Sequence, residues 1–208
     1  IVSLVGSEMC IRDSLIAACD IPQATGFSVP GQTLPHPRDF INSRDIQPGE
    51  ILYIDDIRIS CCENTHYRPE DQFGKQGPIS LSYRFDAPDR SMVFTGDTGP
   101  CLALEEFAKN ADLLVGELFD TELVINRLRA TNPDMSDHAL LQMQQHFDEH
   151  HLTPEDLGQL ASRAGVKKVV AVHIPFITKS AEEDAKYVSR ILAKFSGSVT
   201  ISEDLATY

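Results

Sequence analysis

The sequence predicts an α/β domain whose strands first form an antiparallel meander and then alternate with helices. Residues Ile79–Phe85 alternate strictly between apolar and polar side chains, which is typical of a half-buried antiparallel strand. After residue 100, short apolar runs such as Leu113–Leu118 are separated by longer helical stretches, the pattern of parallel strands joined by helices. With 208 residues, of which 42% are hydrophobic, the chain is long enough to bury a sizeable core.

The other elements follow from local signals along the chain. Runs of β-branched residues on either side of Asp55-Asp56 predict two strands joined by a turn, and Ser91–Thr95 predicts another strand. Further helices are predicted near 102–110, 121–129 and 136–150, and further strands at 167–172 and 199–201. Capping boxes at Thr153 and Ser180 predict two more helices, one ending at Gly165 and one near Phe195.

Three segments are predicted along the chain. Residues 1–14 (IVSLVGSEMCIRDS) resemble an assembly or adapter artefact, so this segment is expected to be non-native. Residues 15–50 are dense in proline and glycine, which predicts an irregular, loop-rich segment. Residues 51–208 carry the strand and helix patterns and are expected to form the folded domain.

Composition and charge restrict the possible partners. The chain has 18 Lys and Arg against 31 Asp and Glu, and the net charge of −13 disfavours general nucleic-acid binding while leaving room for a local basic patch. No apolar run approaches the roughly 20 residues that span a bilayer, so no membrane partner is expected. The five cysteines form no CxxC pair, which favours a reducing, cytoplasmic compartment. An exposed half-sheet would favour a homodimer.

Metal-ligating side chains follow three predicted strands at the point where each strand ends. His66 follows the strand that contains Ile57, Asp97 lies in the turn Gly96–Gly99, and His173 ends the strand at 167–172. Ligands of open α/β sheets collect beyond the carboxyl ends of strands, and imidazole and carboxylate donors suit Zn²⁺, Mn²⁺ or Fe²⁺. The glycines at 96 and 99 are expected to permit the tight turns that project Asp97. Each signal alone also fits a hydrogen-bonded histidine or an ordinary turn.

Together these motifs carry a family resemblance. Thr65-His66, the run Phe-Thr-Gly-Asp97-Thr and the strand that ends in Ala-Val-His173 resemble the later metal motifs of the metallo-β-lactamase fold hydrolases, over residues 51–202. The resemblance is closest to the ribonuclease Z and arylsulfatase-like branch. It implies the second half of an αββα sandwich, with a mixed sheet and helices on one outer face. It also implies two zinc ions in the intact enzyme, with Asp97 bridging them and His66 and His173 each holding one.

Two further motifs match the same branch in part. Leu114-Val-Gly-Glu117-Leu keeps the acid of one motif, and His151-Leu-Thr153 keeps the histidine and threonine of another. The resemblance implies that His151 donates a proton near the leaving group and that Glu117 orients it. The alternative for His151 is a cap at the C-terminus of the preceding helix.

The cluster His-x-His-x-Asp-His that defines the family is absent from this sequence, whose histidines are at positions 36, 66, 138, 146, 150, 151 and 173. We therefore expect the chain to correspond to the second half of a hydrolase and to be inactive alone. The predicted substrate is a small-molecule ester or phosphodiester. The alternatives are a ribonuclease Z-like tRNA 3′-processing endonuclease and a non-catalytic interaction protein. His138 and His146 are interpreted as surface residues and His36 as a loop residue.

Overall fold

The computed structural model describes residues 46–67, 79–175 and 180–208. Pro48–Tyr208 forms one compact unit, and the other unit, Ile1–Gln47, lies almost wholly outside the described residues. The expectations for residues 1–14, for the loop-rich segment up to residue 45 and for His36 therefore also lie outside them.

One seven-stranded mixed sheet organises the unit, and its strands lie side by side in chain order. The first four strands pair antiparallel, and the pairs from the fourth strand to the seventh are parallel. The strands are β1 (Ile51–Ile54), β2 (Ile57–Glu63), β3 (Leu81–Asp86), β4 (Ser91–Phe94), β5 (Leu113–Glu117), β6 (Lys168–Val172) and β7 (Ser198–Ile201). The meander and the later alternation with helices are thus as the sequence predicts.

Five helices lie in the described residues, all after β4. They are α1 (Leu102–Phe107), α2 (Thr121–Thr131), α3 (Asp137–His150), α4 (Pro154–Ala164) and α5 (Ala181–Leu192). The predicted capping box at Thr153 is complete, and Gly165 ends α4 in the left-handed conformation. At Ser180 only half of the predicted box is present: its side chain accepts from the Glu183 backbone N–H. Helix α5 ends at Leu192, earlier than predicted.

A hydrophobic cluster joins α1, α4 and α5 to one face of the sheet. Because side chains alternate along a strand, Val93, Leu114 and Val169 point to the same face of the parallel strands, and all three are fully buried. Leu157 of α4 and Ile191 of α5 belong to the same cluster. When parallel strands follow one another in chain order across a sheet and are joined by right-handed crossovers, their connecting helices lie on one face of the sheet. This confirms the predicted mixed sheet with helices on an outer face.

None of the helices in the described part of the chain is long and apolar enough to cross a bilayer.

The Asp112 carboxylate, at the start of β5, connects three segments of the chain and makes the free energy of unfolding depend on pH. Asp112 accepts from the backbone N–H and hydroxyl of Ser91 at 2.7 and 3.1 Å, and Lys167 Nζ lies 2.6 Å from its other oxygen. The hydrogen bond from Lys167 and those from Ser91 lower the pKa of Asp112 from 3.8 to about 2. The folded state therefore favours the ionised form, and the resulting stabilisation is present above pH 3.8.

We expect Asp112→Asn to lower the free energy of unfolding at neutral pH. The difference from wild type should shrink as pH falls from about 4 towards 2, because wild-type Asp112 then becomes protonated in both states. Urea unfolding followed by circular dichroism across that pH range measures the difference. In the Lys167→Met background the same substitution should have a smaller effect, and a pH-independent difference in the wild-type background would contradict the assignment.

Candidate metal centre

The chain directions bring the predicted site residues to one edge of the sheet. Strand β2 is antiparallel to β3, and β3 is antiparallel to β4, so β2 runs in the same direction as β4 and the strands that follow it. The carboxyl ends of β2, β4, β5 and β6 therefore lie at the same edge. His66, Asp97, Glu117 and His173 are at or just beyond these four ends.

The tips of several of these side chains lie close together. The ligand atoms of His66, Asp97 and His151 lie within 4.8 Å of one another, and this is the only group of three or more such residues among those the structure describes. His173 Nε2 lies 3.6 Å from Asp97 Oδ2, and its side chain is 65% exposed. The structure thus places His151 directly beside two of the predicted ligands, while the largely exposed His173 lies next to Asp97.

Buried polar groups hold His66 in place. The Asn64 side-chain oxygen accepts from the His66 backbone N–H at 3.1 Å, while the Asn64 amide donates to Ser82 Oγ and to the Thr95 carbonyl. The His66 ring nitrogen Nδ1 lies 3.2 Å from the backbone carbonyl of His150. A carbonyl only accepts, so Nδ1 carries the hydrogen and Nε2 keeps its lone pair. That is the nitrogen a metal ion would use.

His151 is fixed by a carboxylate on one side and an aromatic ring on another. Its Nδ1 lies 2.8 Å from Glu117 Oε2, and the Phe119 ring stacks on the imidazole at 4.5 Å between centroids. His151 is also the C-cap of α3, since its backbone N–H donates to the Phe147 carbonyl. His151 thus ends α3 through its backbone, while its ring lies beside His66 and Asp97.

Glu117 is the buried carboxylate behind the site, with only 1% of its surface exposed. Burial raises the pKa of Glu117 above its ordinary value. The hydrogen bonds from His151 and from the Thr98 backbone N–H offset only part of this increase. The Thr98 bond is 2.5 Å long, and the Glu117 backbone N–H donates to Thr95 Oγ1. Both carboxylate oxygens thus have a donor, which satisfies an otherwise costly buried acid.

Gly96 and Gly99 flank Asp97, and both were predicted to permit tight turns. That reason is right for Gly96 alone. Gly96 has φ of +60°, so it provides the left-handed turn that was expected. Gly99 does not have a positive φ. A Cβ there would lie 1.9 Å from the carbonyl oxygen of Glu149, so Gly99 permits close approach of the α3 C-terminus. His173 also has a positive φ of +53°, an uncommon conformation for a side chain of its size.

The donor set suits a divalent ion. Two imidazoles and a carboxylate within reach of one another are borderline and hard ligands of the kind that zinc accepts. The Nδ1 of His66 and the Nδ1 of His151 each have a hydrogen-bond partner. The Nε2 of each ring is therefore the nitrogen that a metal ion would use. Hydrogen bonds at the far nitrogen are the usual support of metal-ligating histidines.

Sequence reasoning missed several residues that shape this edge. Asn64, Phe119 and His150 all contact or support the central side chains, and no role at the site was predicted for any of them. His146, interpreted as a surface residue, is exposed, but its ring lies 4.4 Å from that of His150. The spacing of four between His146 and His150 is the one signal that could have indicated a shared helix face. His138 is exposed, as predicted.

The fold and the site define a class of protein: an α/β domain that collects histidine and aspartate side chains at the carboxyl edge of a mixed sheet. Residues 23–174, more than half of the chain, match the profile described as the beta-lactamase superfamily domain. The chain belongs to the beta-lactamase superfamily. The metallo-β-lactamase fold implies a divalent metal, usually zinc.

Similar proteins agree with this assignment. The chain is 30% identical over 127 residues to ribonuclease Z from Mycobacterium avium, covering 61% of this chain and 40% of that protein. It is 34% identical over 91 residues to ribonuclease Z from Ignicoccus hospitalis, covering 44% of this chain and 24% of that protein. The chain thus spans less than half the length of these curated relatives.

Solved structures share the fold at low identity. The metallo-beta-lactamase fold protein YhfI from Bacillus subtilis superimposes with a TM-score of 0.55 and 18% identity, covering 88% of this chain and 59% of that one. The metallo hydrolase Igni18 from Ignicoccus hospitalis gives a TM-score of 0.51 and 10% identity, covering 80% and 60%.

Proposed function

We propose that this chain contributes to a divalent-metal centre that hydrolyses an ester or a phosphodiester. The observation that carries the proposal is that His66, Asp97 and His173 meet at the carboxyl edge of the sheet. The ligand atoms of His66 and Asp97 lie within 4.8 Å of each other, and His173 Nε2 lies 3.6 Å from Asp97 Oδ2. In this proposal His66, Asp97 and His173 are metal ligands. Zinc is the proposed resident ion, and Mn²⁺ or Fe²⁺ suit the same donors.

Three protein ligands with one open position is the usual arrangement of a catalytic zinc ion. Held by His66, Asp97 and His173, such an ion would acidify a water towards a pKa of about 7 and would neutralise charge that develops on the attacked ester. A second ion bridged by Asp97 would require donors beyond those that the described residues group at this edge. We therefore propose that the chain by itself holds at most one ion and is inactive alone.

His151 is proposed as the proton donor to the leaving group. Its Nδ1–H is held by Glu117 at 2.8 Å, so Nε2 is the nitrogen free to carry and release a proton. The Glu117 carboxylate holds the ring in this orientation, and Phe119 covers one ring face. Only 12% of the His151 side chain is exposed, so the proton is delivered in a largely water-excluded position.

Two substrate classes are supported by different observations. The net charge of −13 favours a small ester or phosphodiester over a long polyanion. The 30% identity to ribonuclease Z from Mycobacterium avium favours RNA. We propose the small-molecule substrate as the main candidate and an RNA phosphodiester, cleaved by a ribonuclease Z-like endonuclease, as the second.

Cobalt(II) binding tests the ligand assignment. The purified chain is dialysed against Co²⁺, and its metal content and visible spectrum are compared with those of His66→Ala, Asp97→Asn and His173→Ala. We expect each of these variants to lose the bound ion, because each removes one of three donors. His151→Ala should keep the ion, and His138→Ala, an exposed position on α3, is the matched control.

The outcomes separate the possible roles. If His151→Ala loses the ion while His173→Ala keeps it, His151 is a ligand and its assignment as proton donor is wrong. If the wild-type chain and the control bind no ion at all, the metal-centre proposal fails in favour of a non-catalytic interaction protein. Hydrolysis of bis(p-nitrophenyl) phosphate and of a tRNA precursor by the full-length gene product then distinguishes the two substrate classes.

A further inference from the structure

We propose that His150 is a positioning residue that sets the tautomer and orientation of the His66 ring. This inference rests on the proposed function, since it concerns how His66 would face a metal ion. The sequence motifs single out His151 and assign no role at the site to its neighbour His150. The geometry assigns one, because the ring and the backbone of His150 make two separate contacts with the segment that carries His66.

The two contacts are reciprocal. The His66 ring nitrogen Nδ1 lies 3.2 Å from the His150 carbonyl, and the His150 ring nitrogen Nδ1 lies 3.1 Å from the Thr65 carbonyl. Both partners are carbonyls, which only accept, so both rings carry a hydrogen on Nδ1. Each of the two segments therefore donates one imidazole N–H to the other, although they are 84 and 85 residues apart in sequence.

This reciprocal pair lies in a sheltered position. His150 is only 6% exposed, and both hydrogen bonds are at least partly buried, which limits competition from water. A neutral imidazole has one donor and one acceptor nitrogen, and fixing the donor at Nδ1 of His66 leaves Nε2 as the acceptor. Without the His150 carbonyl at its present position, the His66 ring would be free to adopt the other tautomer.

The end of α3 is also held against the loop that carries Asp97. Gly99 packs so closely on Glu149 that a Cβ would approach its carbonyl oxygen to 1.9 Å. The Thr65 backbone N–H donates to Thr98 Oγ1 at 3.3 Å, which joins the His66 and Asp97 loops directly. The C-terminus of α3 is therefore the common support of both loops, and the His150 ring is the side chain that connects it to Thr65.

Three substitutions at one position separate a positioning role from a merely structural one. In His150→Asn the amide nitrogen stands at about the place of Nδ1, so the bond to the Thr65 carbonyl can be kept. His150→Gln moves the same donor one carbon further out. His150→Leu keeps the bulk but has no donor. Leu160→Ala, at a buried position on α4, is the control that loses stability away from this pair.

The tautomer of His66 is read in the metal-free chain by long-range ¹H–¹⁵N correlation at neutral pH. We expect the Nδ1–H tautomer in wild type, in His150→Asn and in Leu160→Ala. We expect a shift towards the Nε2–H tautomer in His150→Gln and His150→Leu. Cobalt affinity should follow the same order, falling about 10–100-fold in His150→Leu and staying close to wild type in His150→Asn.

A wild-type tautomer in both His150→Gln and His150→Leu would overturn the proposal, and so would a shifted tautomer in His150→Asn. Should His150→Leu fail to fold, the Asn and Gln pair gives the same decision. If Leu160→Ala shifts the tautomer as much as His150→Gln does, the effect is general destabilisation and the positioning role is wrong. Because the tautomer is measured without metal, wild-type protein that shows it but binds no ion contradicts the proposed function and leaves this pair intact.

Discussion

Replacing Leu157 with alanine is expected to lower the free energy of unfolding by about 2–5 kcal/mol, a large fraction of the stability of a domain. Leu157 is fully buried on α4, and its Cδ1 lies 2.4 Å from where a Cβ at Gly116 would stand. The leucine thus fills the space that the glycine leaves open on β5. Truncation creates a cavity there that the β5 backbone, paired on both sides, cannot fill. Urea unfolding followed by circular dichroism measures the loss.

The matched control is Leu141→Ala, at a position that is 52% exposed on α3. The same atoms are removed there without opening an internal cavity, so the change should stay within about 0.5 kcal/mol. Equal losses in the two variants would contradict the assignment of Leu157 to the core.

Glu117→Gln is expected to lower kcat for the proposed hydrolysis about 10²–10⁴-fold in the full-length gene product, with little change in KM. The carboxylate accepts from both Thr98 and His151, and an amide has only one oxygen with which to accept. If that oxygen keeps the Thr98 bond, the amide NH₂ faces His151. Nδ1 must then accept, which places the hydrogen on Nε2 and reverses the tautomer that the carboxylate holds.

Metal content of Glu117→Gln should match wild type, since Glu117 is not a proposed ligand. The control is Glu122→Gln, an exposed position on α2, which should leave both activity and metal content unchanged. Parallel loss of metal and activity in Glu117→Gln would instead indicate that His151 is itself a ligand supported by Glu117.

Most of the fold could be predicted from local patterns. Each described strand and helix has a signal in its own sequence: alternation in β3, continuous apolar runs in β5 and β6, and a full capping box at the start of α4. Boundaries were less well predicted. Helix α5 ends at Leu192, before the expected Phe195. Beyond that end, the backbone N–H groups of Lys194 and Phe195 still donate to the Ile191 carbonyl.

The candidate site was predicted only in part. His66, Asp97 and His173 follow strands, so the rule that ligands collect at carboxyl edges predicted their common location, whereas Glu117 was predicted only from the family resemblance. His150 could not be found that way, because its importance lies in a backbone carbonyl and a ring bond to Thr65. Gly99 was assigned the wrong reason, since its close contact is with a helix 50 residues later in the chain.

The sequence by itself determined the secondary-structure elements and placed the candidate site residues beside their ends, because periodicity, capping and turn residues act over a few positions. Only the tertiary structure decided which ring nitrogen of His66 and of His150 forms a hydrogen bond, and which backbone carbonyl accepts it. Those choices depend on hydrogen bonds between segments such as 64–66 and 149–151, which are adjacent in space but distant in the chain. A local pattern has no information about a partner that distant, so these contacts follow from the packing of α3 against the sheet edge.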